Sequence, residues 1–477
     1  MAYLGNSGGA MARNKLSVGQ KLGFGIFDLG GNMFFTLMGF WCLKYLTDEV
    51  GLAAALAGAA VMIGKAWDAV TDPMMGFISD RTLTSLGRRR PYILIGAIPM
   101  MLALWLFFTV PDIPDQIMLM LWAVGTLMLL NTASTVINVP YASLTPELTD
   151  NYHEQTSLNG YRFGCAVFGT ILGAAAVLPL VDAFGKGRHG WSMMGLTLGV
   201  ITAIVTLTTF FGTREKRHSR ADLPTEGFFA TYKAVFTNKP YVILFVTYAL
   251  HITAITFLQS ILAYYIEYIY PSEFVMQLGT FPLFGDPAAS EMALRGTLTN
   301  LSMMGLLLTA MLFIPVSVFV SKVIGKKRTY QICFAVLGAA CILVSTVGHL
   351  LPPGWFLGLL VFAGIGVGFS YVAPFAMVPD TVEFDAVTTG ERKEGAYYGM
   401  WTFIAKCGTA LSVFVSGLIL NLGGYVAKAI QIPSAKLAIR LIIGPIPALV
   451  FLCAFVLMRF YPLDEKTYKR LMGQEIQ

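Results

Sequence analysis

Asp68 and Asp72 stand four residues apart in Gly64-Lys-Ala-Trp-Asp-Ala-Val-Thr-Asp-Pro73, inside a stretch that is otherwise largely apolar. On a helix that spacing stacks both carboxylates on one face, one turn apart. Two anions that close repel, and one takes up a proton unless a cation lies between them. A hard monovalent cation needs several oxygens. Thr71 offers a neutral one, and Pro73 removes a backbone hydrogen bond, which frees a carbonyl near Ala69 as a further ligand. The pattern therefore reads as a site for a hard monovalent cation. The rival reading has Lys65 neutralising Asp68 at i, i+3 while Asp72 merely caps a helix end.

The elements that must hold these carboxylates are membrane spans. Of 477 residues, 56% are hydrophobic and 13% charged, with a mean hydropathy of +0.67, whereas a soluble domain carries about a quarter charged residues. Apolar segments fall at 20–46, 53–79, 91–110, 115–142, 158–183, 191–213, 240–270, 298–323, 329–350, 355–380, 395–423 and 436–461, each long enough for one crossing. An all-α membrane protein of twelve transmembrane helices follows. The six cysteines lie in or beside these segments without paired spacing, which excludes a disulfide scaffold. The sequence holds no metal-ligand cluster, nucleotide loop or Ser/His/Asp set, so an enzyme is not expected.

Most of the 33 Lys and Arg residues fall on one side of these spans, leaving only Lys44, Lys186, Arg188, Arg295, Lys428, Lys436 and Arg440 on the other. By the positive-inside rule both termini are cytoplasmic, in a cell inner (plasma) membrane. The basic run Arg214–Arg220 reads as a topology determinant between two spans, not as a nucleic-acid surface. Gly87-Arg-Arg-Arg-Pro91 recurs half a chain length later as Gly325-Lys-Lys-Arg-Thr329. That repeat points to two six-helix halves, the major-facilitator arrangement, with substrate bound between them. The halves are 1–213 and 240–461, joined by a cytoplasmic linker 214–239 with an interfacial helix at 227–236 and followed by a tail, 462–477. The segment 271–297 reads as a long outer loop. A monomer in the lipid bilayer is expected.

Charges at bilayer depth are costly unless they face a partner or a cavity. Besides the carboxylate pair and Lys65, they are Asp28, Arg162 and Lys406. Arg162 offers a planar donor fork for sugar hydroxyls or an oxyanion, unless it snorkels to the headgroups. Lys406 lies mid-helix, too deep to snorkel. Thr135 and Asn138 share a face of the fourth span, and Tyr371 and Trp401 are polar-tipped aromatics of the kind sugar sites use. His251, Gln259 and Glu267 recur every eight residues along the seventh span, with no partner evident.

Asp68-Ala-Val-Thr-Asp-Pro-Met-Met-Gly-Phe-Ile-Ser-Asp-Arg81, Gly87-Arg-Arg-Arg-Pro-Tyr92, Val139-Pro-Tyr-Ala-Ser-Leu-Thr-Pro-Glu147, Tyr161-Arg162 and Pro379-Asp-Thr-Val-Glu-Phe-Asp385 together resemble the glycoside-pentoside-hexuronide:cation symporters. The resemblance implies a sodium, proton or lithium symporter of the major-facilitator fold. It implies that Asp68, Thr71, Asp72 and Thr135 bind the cation and that Asn32, Asn138, Ala142, Arg162, Tyr371 and Lys406 bind a small sugar-like substrate. Where the family's melibiose carriers have acidic residues on the first and fourth helices, this chain has Asn32 and Asn138. Asp28, one turn before Asn32, is a substitute carboxylate. With fewer acids around Arg162 and Lys406 the pocket is expected to suit a hexuronide, a sulfonated sugar or another organic anion, with an amphiphile such as a lysolipid as a further possibility. Loop acids such as Asp80, Glu147 and Asp385 are expected in inner-side ion pairs.

Overall fold

The computed structural model describes residues 16–148, 152–213, 236–281, 288–389 and 394–463. In chain order the long helices are α1 (Val18–Glu49), α2 (Ala54–Arg81), α3 (Arg90–Phe107), α4 (Gln116–Leu148), α5 (Tyr152–Ala175), α6 (Gly187–Gly212), α7 (Lys239–Tyr268), α8 (Glu291–Ile324), α9 (Lys326–Thr346), α10 (Pro353–Thr388), α11 (Glu394–Leu422) and α12 (Pro433–Arg459). Ten of them are long and apolar enough to cross a membrane, and α5 makes an eleventh with Val177–Ala183, to which it is joined at a 53° bend. The remaining helix, α2, has 28 residues, but Lys65, Asp68, Asp72, Asp80 and Arg81 interrupt its apolar run. The helix whose apolar run is thus broken is the one carrying the candidate cation site.

Local chemistry sets the helix starts. Ser17 caps α1 in a reciprocal box with Gln20. Proline sits in the first turn of α3, α7, α10 and α12, where its missing N–H has no helical partner to lose. The segment 271–297 is more structured than its prolines and polarity suggest. It holds a short helix, Ser272–Leu278, and α8 begins at Glu291 because Ser290 caps its first turn. There Arg295 is bound to Glu291 and to the Ile266 and Tyr270 carbonyls at the end of α7. The proposed interfacial helix at 227–236 lies almost wholly outside the described residues, as does the tail beyond 463.

The helix contacts repeat with a shift of six. Within the first half α1 packs on α5, α2 on α4, and α3 on α4 and α6; within the second, α7 packs on α11, α8 on α10, and α9 on α10 and α12. Across the halves α2 meets α11, α5 meets α8, and α1 meets α7. The repeated Gly-basic turns also correspond in backbone geometry, because Gly87 and Gly325 have φ of 112° and 87°, the left-handed region that favours glycine. Arg89 pairs with Asp80 at 3.2 Å and Lys326 with Asp380 at 2.7 Å. The Glu147 side chain lies outside the described residues.

The two membrane faces differ. The face carrying the 82–89 turn is called here the Arg89 side and the opposite one the Lys44 side. One buried apolar cluster fills the first half and continues into the second through Phe257, Tyr264, Phe356 and Leu420, all toward the Lys44 side; the other is confined to residues 241–463. Gly58 and Gly417 allow α2 and α11 to touch there, since a Cβ on Gly417 would fall 2.3 Å from the Ala54 carbonyl oxygen.

Candidate functional site

The α2 carboxylates are brought together as their spacing demands, and their main partner comes from the other half of the molecule. The Lys406 ammonium, on α11, binds Asp72 Oδ2 and lies 3.0 Å from Asp68 Oδ2. From α4, the Thr135 hydroxyl is 2.9 Å from Asp68 Oδ1 and 2.7 Å from Asp72 Oδ1. It carries one hydrogen, so it donates to one carboxylate at a time. Lys65 stands 3.6 Å from Asp68, so that part of the rival reading is met, but Asp72 does not merely cap a helix end, because α2 runs on to Arg81. Thr71 Oγ1 donates to the Asp68 carbonyl at 3.3 Å. Lys406, expected to face substrate, here occupies the place between the carboxylates where a cation was expected.

Asp28 and Arg162 are also matched to each other. Arg162 Nε donates to Asp28 Oδ2 at 2.6 Å and Nη2 to Oδ1 at 3.3 Å, and the Tyr141 hydroxyl donates to Oδ2 at 2.5 Å. Arg162 therefore neither snorkels nor presents an uncompensated fork, and Asp28 is not an open carboxylate. Arg162 and Lys406, expected from the sequence to have few acids around them, are matched by acids, since Asp28, Asp68 and Asp72 face Arg162, Lys406 and Lys65. Asn32 and Asn138 each turn their amide N–H back to their own helix, Asn32 to the Asp28 carbonyl at 2.8 Å and Asn138 to the Ser134 carbonyl at 3.0 Å.

A cavity of about 570 Å³ lies between the halves, with Asn32, Lys65, Asn131, Tyr371 and Lys406 in its wall. Phe35, Tyr371 and Phe375 line it and are 48%, 42% and 50% exposed. Five residues expected at the substrate, Asp28, Asn138, Ala142, Arg162 and Trp401, are not part of that wall. Trp401 is buried with its ring stacked on Tyr248 at 3.8 Å between centroids, and it supports the wall from behind. Asn138 borders a separate small void between α1 and α4.

The chain resembles known proteins along nearly its whole length. The sequence profile of the MFS/sugar transport protein family matches residues 23–465. The chain belongs to that family. It is 28% identical to the isoprimeverose transporter of Lactiplantibacillus pentosus, over 97% of this chain and 92% of that one. It is equally identical to a glucuronide carrier protein homolog of Escherichia coli, over 96% and 95%. Among solved structures, the nucleoside transporter NupG superposes with a TM-score of 0.63 at 16% identity, covering 93% of this chain and all of that one, which shows the shared fold. The resemblance to glycoside-pentoside-hexuronide:cation symporters is borne out, and this MFS sugar transporter is a multi-pass membrane protein of secondary transport, not an enzyme.

In this family member the Lys44 side is shut by a buried polar cluster that sequence reasoning missed. Asp48, with 5% of its side chain exposed, accepts from Lys44 at 2.6 Å, Thr47 at 2.6 Å, Tyr425 at 2.6 Å and Tyr268 at 3.2 Å. Lys44 also binds Glu267, and Tyr264 reaches Thr47 at 2.7 Å. Lys428 closes the outermost layer on Glu49 at 3.1 Å. The cluster ties α1 to α7 and to the loop after α11. The signal available in the sequence was the eight-residue recurrence on α7, whose last member is Glu267, together with Lys44 and Asp48 at i, i+4. Gln259, on the same face, lies against Gly39 of α1, and His251 bonds Tyr330 at 2.9 Å.

Proposed function

We propose that the protein is a sodium-coupled symporter that carries a glycoside or hexuronide into the cell, and that this structure is its inward-open conformation, with the Arg89 side and both termini cytoplasmic. The observation that carries the reading is the Lys406 ammonium between Asp68 and Asp72. An internal cation holds the carboxylate pair while the coupling ion is away. When sodium enters with Asp68, Asp72, Thr71 and Thr135 as its oxygens, it replaces the ammonium. Lys65 and sodium then balance the two carboxylates, and Lys406 becomes a free positive charge in the cavity wall that Asn32 and Tyr371 also line. That charge favours a substrate with a carboxylate or sulfonate, in keeping with a glucuronide carrier homolog among the relatives.

Coupling follows without a further device. Sodium exposes the substrate's ion partner, substrate holds Lys406 away from the carboxylates, and linkage makes each raise the other's affinity by the same factor. The halves then rock about the site, and the Lys44-side cluster is the closure that must break for the outer face to open. Proton coupling is the second reading, favoured by the Thr135 hydroxyl being shared between two carboxylates, an arrangement that a proton on one of them completes. Uptake of methyl β-D-glucuronide into proteoliposomes separates the readings. An inward sodium gradient at equal pH drives accumulation in the first, and Asp68→Asn abolishes it. Uptake driven by a pH gradient alone, or coupling intact in Asp68→Asn, contradicts sodium symport at this pair.

A further inference from the structure

The cavity is not symmetric about the axis that relates the halves. In the second half it passes between the inner helices and reaches the peripheral ones, touching Ala340, Cys341 and Val344 on α9 and Ile443 on α12. Their counterparts in the first half, α3 and α6, contribute nothing to its wall. Ala363 and Val367 of α10 complete this arm. None of the six side chains carries nitrogen or oxygen, and all but Val367 are buried. The charged and amide groups of the wall, Asn32, Lys65, Asn131, Gln259 and Lys406, lie on α1, α2, α4, α7 and α11, and His251 of α7 lines it as well. Water beside these six side chains finds no hydrogen-bond partner on them, so an apolar group is the favoured occupant there.

We propose that this arm is an aglycone chamber: the sugar ring of the substrate sits among the polar residues, and an apolar substituent on its anomeric oxygen enters the space between α9, α10 and α12. The inference rests on the glycoside reading above and deepens it. The total volume, about 570 Å³, exceeds what one sugar ring fills and matches sites for larger ligands. Small side chains at Ala340 and Ala363 keep the arm open, and both are positions where a larger apolar residue fills it without adding a polar group.

The test compares methyl and phenyl β-D-glucuronide, and the same pair of β-D-glucosides and β-D-xylosides, binding to the purified full chain in lipid nanodiscs by calorimetry. Burying the phenyl ring makes the phenyl member of a binding pair about tenfold tighter or more. Ala363→Phe fills the arm and brings the phenyl-to-methyl ratio close to one; Ala363→Leu, a milder change, lowers it partway, and methyl-glycoside binding by either variant reports that it has folded. Equal affinities within each pair, or a phenyl advantage that survives Ala363→Phe, overturn the chamber and leave the carrier reading standing. Absence of binding by every member of every pair overturns both.

Discussion

Replacing Asp48 by asparagine attacks the closure of the Lys44 side at its most connected residue. Four donors converge on this buried carboxylate, from Lys44, Thr47, Tyr268 and Tyr425. Asparagine keeps the shape and one acceptor oxygen but turns an N–H₂ toward two of those donors. Hydrogen bonds to a charged group are each worth about 1.5–3 kcal/mol against about 0.5–1.5 for neutral ones, and breaking one side of a buried ion pair costs about 3–5 kcal/mol. Lys44 retains Glu267, which offsets part of the loss, so a net cost of about 2–4 kcal/mol falls on the closed form alone. That shifts the closed-to-open ratio by about 30- to 1,000-fold, and a resting ratio of 99:1 becomes roughly 3:1 at the lower limit. Electron-electron distances between nitroxides at Asp112→Cys and Ile430→Cys, in a background without the six native cysteines, read the two loops on this side directly. Both positions are exposed, one in each half. The account expects a second, longer distance population in Asp48→Asn. A distribution unchanged from the parent would refute the assignment of this cluster as the closure.

Lys406→Gln removes the internal cation but keeps a polar side chain of similar length. Sodium no longer competes with the ammonium, so its apparent affinity rises about tenfold or more, while binding of methyl β-D-glucuronide, measured by calorimetry, is lost; weaker sodium binding in this variant argues against displacement. Gly417→Val places a Cβ 2.3 Å from the Ala54 carbonyl oxygen and forces α2 from α11 on the Lys44 side, so uptake falls to background while the same nitroxide pair reports an opened loop. Retained uptake with an unchanged distance shows that the two helices need no close approach.

The spans, the internal repeat and the Asp68–Asp72 stack were legible because each depends on neighbours in sequence. Apolar run length sets a crossing, glycine is favoured at the positive-φ turn at 87 and 325, and i, i+4 spacing stacks the carboxylates whatever surrounds them. The start of α8 was misread by several residues, since the Ser290 cap and the Arg295 anchor on α7 extend the helix into a polar segment. The pairing of charges between distant helices was not legible, although the local Lys65–Asp68 pair was. Lys406 is 334 residues from Asp72 and Arg162 is 134 from Asp28, so only the folded arrangement shows that each cation meets an acid. Trp401 was assigned to the cavity on residue type alone, and its ring faces Tyr248 instead. The Lys44-side cluster escaped for the same reason, its members coming from α1, α7 and the loop after α11.

The most direct measurement is equilibrium binding of radioactive sodium-22 to the purified protein at fixed pH, without substrate, for the parent chain and Asp68→Asn. The account predicts saturable binding of one ion by the parent and none by the variant. Sodium binding of equal strength in both, or none in the parent, would contradict the claim that the carboxylate pair is the coupling-ion site.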